Sequence, residues 1–112
     1  MSGEPLSERE FDAVADRSLR ALDRGINEIP DGVEADLQSG ILTLEFEDGI
    51  KYVVNSHRAA RQIWMAAERA AWHFDYRPSE DRWVAQKTGE ELWSTLDAVL
   101  SRKLGRAVKL AR

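Results

Sequence analysis

Apolar side chains first recur at spacings of three and four. Phe11, Val14, Ala15, Leu19, Leu22, Ile26 and Ile29, with Ser18 among them, share one face of a helix over about residues 8–28. Ser7 and Glu10 have the spacing of a capping box, and Leu6 can staple onto Phe11. Gly25 weakens the last turns, and Pro30, Asp31 and Gly32 stop the helix. The period then shortens to two. Val33, Ala35 and Leu37 alternate with Glu34 and Asp36, and Leu42, Leu44 and Phe46 alternate with Thr43 and Glu45. Asp48 and Gly49 are a hairpin signal, IKYVVN returns, and residues 33–55 read as a three-stranded meander. Near the other end, Thr88 and Glu91 form a second capping box. Leu92, Trp93, Leu96, Val99, Leu100 and Leu104 follow, with Gly105 as C-cap, so a helix is predicted over about 89–104. Residues 106–112, RAVKLAR, make a basic tail able to lie back on the fold.

Between these elements, NSHRAARQIWMAAERAAWHFDY (55–76) is ambiguous. Its Ala, Arg, Glu and Met favour a helix, which would put Ala59, Ile63, Ala66, Ala67 and Ala70 on one weak face. Read as a strand, QIWMAA turns Ile63 and Met65 inward and Gln62 and Trp64 outward. The pattern leaves both open. In either case the order of elements predicts an α+β fold, with an N-terminal and a C-terminal helix packed on one face of an antiparallel sheet.

Composition narrows the function. A chain of 112 residues makes one domain with little room for a buried active-site cavity. The lack of cysteine removes disulfides and thiolate metal sites, and fits a cytoplasmic protein. The N-terminus does not read as a signal peptide, and no apolar run approaches the ~20 residues of a membrane span. Residues 1–50 hold thirteen Asp and Glu against four Arg, a net of −9. Residues 51–112 hold seven acidic and twelve basic side chains, a net of +5. The acidic half suits a metal ion or a basic protein surface. The basic half lacks the interleaved aromatics of a nucleic-acid interface. No serine elbow, phosphate loop or HExxH marks a catalyst.

An ordered series of motifs then gives the chain a likeness. GILTLEF (40–46), DGIKYVVN (48–55), QIWM (62–65), HFDY (73–76), Trp83 with Val84, and the run from Gly89 to Trp93 resemble the signature of the frataxin family in its bacterial form, over nearly the whole chain. The resemblance implies two roughly parallel helices on a five- to six-stranded sheet, with further strands near 62–67, 72–76 and 82–85. The residues between Asn55 and Gln62 become a loop, and Trp64 an exposed aromatic opposite the helices. The chain departs from the family at His57 and Ala59, at Ala70 and Ala71 where glycine is usual, and at Arg24, Asn27 and Gly32 in the acidic stretch.

Asp16, Asp23, Glu28, Asp31, Glu34 and Asp36 offer hard oxygen ligands, and Glu8 and Asp12 continue the stripe. On the residues alone, such a row is most simply a solvated face. Resemblance to frataxin reverses that, implying weak, exchangeable binding of Fe2+ or Fe3+ and docking on a cysteine desulfurase. It also implies that Asn55, Gln62 and Trp64 meet the iron-sulfur scaffold protein and the desulfurase. His57 and His73, on different elements, read as solvated side chains, and Trp72, Trp83 and Trp93 as packing residues. The expected function is an iron-binding accessory and regulatory protein of iron-sulfur cluster assembly. It would be a monomer, open to iron-dependent oligomers, with no nucleic-acid or membrane partner. The alternatives are ferroxidase-type iron oxidation and storage, or a metal-independent adaptor.

Overall fold

The computed structural model describes residues 6–110. Helix α1 (Glu8–Asn27) begins at the expected capping box: Glu10 N donates to Ser7 Oγ at 3.1 Å, and Ser7 N to Glu10 Oε1 at 2.9 Å. Strands β1 (Val33–Gln38), β2 (Ile41–Phe46) and β3 (Lys51–His57) form the predicted meander, extended by β4 (Gln62–Ala66), β5 (Ala71–Arg77) and β6 (Arg82–Ala85). All pairs are antiparallel and the six strands lie in sequence order. Ser39 and Gly40 make the first hairpin with φ of 51° and 79°, the left-handed pair that a tight two-residue turn requires.

The ambiguous stretch is therefore two strands. Val54 pairs with Met65, and Met65 with Trp72, so sheet neighbours override the local helical preference. The loop expected between Asn55 and Gln62 is shorter than predicted. β3 runs on to His57, and only a 3-10 turn at Arg58–Ala60 intervenes before β4.

Helix α2 (Leu92–Leu104) starts later than the sequence suggests. Its N-cap is Glu91, whose carboxylate accepts from Trp93 N (2.9 Å) and Ser94 N (3.1 Å); Thr88 instead bonds Glu90 Oε1 at 2.9 Å. The cause lies in the sheet. Ala85 N donates to Glu90 O at 2.8 Å, and Glu91 bridges Val84, which keeps the backbone extended past the expected start. Gly105 closes the helix at φ 70° as predicted.

Both helices cover one face of the sheet. Phe11, Leu19, Leu22 and Ile26 of α1 and Leu92, Leu96 and Leu100 of α2 join Leu42, Leu44, Val54, Ile63 and Phe74 in one core. Trp83 is buried edge-on against Phe11, and its Nε1 donates to Ser18 Oγ at 2.9 Å. That bond explains a hydroxyl on the apolar face of α1. The tail does lie back. Leu110 is buried, with its N–H on Asp97 Oδ1 at 2.9 Å, and Val108 N donates to Ser101 Oγ at 2.8 Å. Ala111 and Arg112 lie outside the described residues. Among the described residues no helix is long and apolar enough to cross a membrane.

Candidate functional site

The carboxylates of the acidic stretch come from three places: the outer face of α1, the loop after it, and the open edge of the sheet at β1. Asn27 ties these together. Its Nδ2 donates to Asp23 Oδ1 and to Ala35 O, each at 3.1 Å, and its Oδ1 accepts from Ala35 N at 3.0 Å. One amide thus pins the end of α1 to β1 between Glu34 and Asp36 and satisfies part of the sheet edge.

Several ridge groups are already engaged. Asp16 pairs with Arg20 at 2.8 Å, Asp31 with Arg106 at 3.2 Å, and Asp36 accepts from Gln38 Nε2 at 3.1 Å. Glu28 is the C-cap of α1, and Glu34 stands exposed opposite Glu45 in the β1–β2 register. That pairing adds residues the sequence reading left out. An open cleft of about 440 Å³ is lined by Asp31, Glu34, Glu45 and Glu47, so the acidic surface crosses from β1 to β2. The turn at Ser39 and Gly40, with the β1–β2 register it sets, was the signal for this. Like charges directly opposite repel across a strand pair, and a cation there relieves them. Among the described residues no three His, Asp or Glu side chains converge to hold a metal ion. The surface can attract a hard cation without imposing a coordination shell.

Asp12 is diverted from the ridge. It is bonded by Arg58 in the turn before β4, and this holds its carboxyl below the usual carboxylate range.

The bare face of the sheet carries the second surface. The strand registers set Ile41, Asn55, Trp64 and His73 in one row across β2 to β5. Ile41 is 49% exposed, the one large hydrophobic so open among the described residues. Trp64 is only half-buried, because two imidazoles cover it. His57 stacks on one side at 3.8 Å between centroids and His73 on the other at 4.2 Å, both within 14° of parallel. The structure thus joins two histidines that the sequence reading kept apart. Trp64 Nε1 donates to Gln62 Oε1 at 2.7 Å, and Gln62 Nε2 to Asp75 Oδ1 at 2.9 Å. Gln62 lies on the expected face but is 8% exposed, with its amide spent on this chain. Asn55, half-buried, donates to Ser56 O at 3.1 Å. His57 Nδ1 accepts from Ala60 N at 3.3 Å, which places its proton on Nε2. What remains for a partner is the indole edge, flanked by imidazoles and an open isoleucine.

Known proteins share this fold. A family model described as a frataxin-like domain matches residues 4–106. The iron-sulfur cluster assembly protein CyaY of Ralstonia nicotianae is 39% identical over 103 residues, spanning 88% of this chain and 89% of that protein. The protein of the same name from Thioalkalivibrio sulfidiphilus is 39% identical over 109 residues, 96% of this chain and 87% of that one. Among solved structures, frataxin from Psychromonas ingrahamii superposes with a TM-score of 0.86 at 26% identity, covering 96% of this chain and all of that one (100%). Trimeric frataxin from the yeast Saccharomyces cerevisiae, complexed with ferrous, gives 0.65 at 25% identity, over 92% of this chain and 90% of that one. With its motifs in order, its two helices on an antiparallel sheet and a family match over nearly its full length, the chain belongs to the frataxin family.

Proposed function

We propose that this protein is an accessory factor of iron-sulfur cluster assembly, working in the cytoplasm as a monomer. Its relatives carry that role in their names, and one structural neighbour is described in complex with ferrous. The observation that carries the reading is the acidic surface running from α1 across β1 to Glu45 and Glu47 of the β2 end. Asp16, Asp23, Glu28, Asp31, Glu34 and Asp36 take iron as exchangeable cargo, and the same carboxylates dock on a basic patch of a cysteine desulfurase. Exposed carboxylates at the surface suit both tasks, since those already bonded within the chain, Asp16, Asp23, Asp31 and Asp36, hold exposed partners that can be exchanged. The indole edge of Trp64, with Asn55 and the buried Gln62 behind it, meets the scaffold protein. Loading with iron, which neutralises the β1 edge, is what would permit oligomers.

An anaerobic Fe2+ titration of the labelled protein, followed by two-dimensional NMR with a Ca2+ control, tests the metal part. Broadening confined to residues 16–36 and 45–47 is expected; broadening centred on His57 or His73 overturns it. Docking is tested separately. Glu34→Lys with Asp36→Lys should weaken desulfurase binding at least tenfold and flatten its salt dependence.

A second reading is favoured by the internal pairing of Asp16 and Asp31 and by the lack of three converging ligands among the described residues. In it the protein is a metal-independent adaptor, and desulfurase affinity is the same with and without iron. Ferroxidase-type oxidation would show as oxygen consumption lost on neutralising the ridge.

A further inference from the structure

A cleft of about 360 Å³ opens where the β4–β5 turn leans over the C-terminal half of α2. Tyr52, Trp72 and Val99 give it apolar walls. A second cleft, of about 350 Å³, lies on the other side of Trp72 and shares that indole and Ala70. The dividing wall is fixed in place. Trp72 Nε1 donates to Glu90 Oε1 at 3.1 Å, and the Thr88 hydroxyl holds the same oxygen at 2.9 Å.

Most polar groups of the first cleft are satisfied within the chain. Tyr52 OH donates to Glu68 Oε1 at 2.9 Å, and Lys103 Nζ reaches that oxygen at 3.2 Å and Asp48 Oδ2 at 2.7 Å. These bonds keep Glu68 ionised, with its carboxyl below the usual range. Arg69 and Arg102 differ. Both are exposed, both line the cleft, and neither has a hydrogen-bond or ion-pair partner among the described residues. They come from separate elements, the β4–β5 turn and α2. Glu68 of the lining and Asp48 beside it are both taken up by Lys103, so the unmet charge is all guanidinium. Planar guanidinium forks match carboxylate and phosphate oxygens, and a fixed indole offers a flat apolar surface. The volume lies within the range of small-ligand sites.

We propose that this cleft binds a small amphipathic organic anion. Arg69 and Arg102 clasp its carboxylate or phosphate, and its planar apolar body lies along Trp72 and Val99. Two free cations suffice for one anionic group, whereas an acidic protein segment would call for a longer row. None of these residues belongs to the acidic ridge, so the site fills independently of any metal there.

The test is an NMR titration of the labelled full chain with 1-naphthyl phosphate and with indole-3-acetate, using inorganic phosphate and acetate as controls. Saturable shifts confined to residue 52, residues 67–72 and residues 99–103 are expected, with the controls at least tenfold weaker. Arg69→Gln and Arg102→Gln should each weaken binding, and the double variant should weaken it tenfold or more while keeping the wild-type spectrum. Shifts scattered over the basic side chains, or unchanged affinity in the double variant, overturn the site. So does tighter binding of an acidic peptide such as Asp-Glu-Phe-Glu with the same footprint, which would reassign the cleft to a protein partner.

Discussion

Ser18 shows what a single hydroxyl does on a buried face. It accepts the only N–H of the Trp83 indole, whose ring is 2% exposed. Ser18→Ala removes the acceptor of a buried indole N–H, so a loss of ~1–3 kcal/mol is expected, read as a lower urea midpoint at unchanged m-value. The hydroxyl was visible in the sequence as a misfit among apolar positions, but its partner sits 65 residues away and could not be named. The same holds for Trp64. Its position was legible from the alternation of QIWM, whereas its stacking between His57 and His73 depends on which residues the β3–β4–β5 register brings abreast. Such ring pairs contribute ~0.5–1.5 kcal/mol beyond buried area, and these partly exposed ones belong at the low end. His57→Ala or His73→Ala should therefore cost little stability while broadening or shifting the Trp64 Nε1–H resonance. An unchanged resonance in both variants would show that Gln62 alone holds the indole.

At the level of elements, the long helix and the first hairpins were read correctly because local signals and tertiary packing agree there. Two places broke that agreement. β4 is written in helix formers, and only its neighbours on both sides make it a strand. The start of α2 moved because two caps competed. Thr88 and Glu91 have capping-box spacing, but the hydrogen bond of Ala85 to Glu90 and the bridge at Glu91 hold the chain extended to that point. Glu91 then caps with its own carboxylate, an unusual choice where Ser, Thr, Asp and Asn prevail. The two assignments separate by mutation. Glu91→Ala should destabilise by ~1 kcal/mol, and Thr88→Ala by no more than ~0.5 kcal/mol, the range of a plain surface change. Equal losses in thermal melts would restore Thr88 as the cap.

For the molecule as a whole, charge does two things that the sequence summed into one small number. It divides the chain into an acidic and a basic half, which was legible. It also staples elements across long separations, which was not, because each pair is fixed by the fold. Arg58 bonds Asp12 of α1, and Lys103 of α2 bonds Asp48 in the β2–β3 turn and Glu68 after β4. Asp12 and Asp48 are held below their ordinary pKa chiefly by hydrogen bonds from Arg58 and Lys103, and Glu68 chiefly by Tyr52 and then Lys103. Depressed carboxylates bind protons less readily folded than unfolded. Their stabilisation is whole above the unfolded values near ~4 and disappears as pH falls through the folded ones. The urea midpoint should accordingly hold steady from neutral pH down to about pH 5 and drop below it. Lys103 is the most consequential partner, since its side chain is 15% exposed and joins the turns at one end of the sheet to α2. Lys103→Gln should lower the midpoint at pH 7, and its gap to the parent protein should close as the carboxylates protonate. A gap that persisted unchanged at pH 3 would mean that Lys103 acts through its aliphatic stem and its ammonium over the Phe46 ring, 5.4 Å from the centroid, and not through its ion pairs.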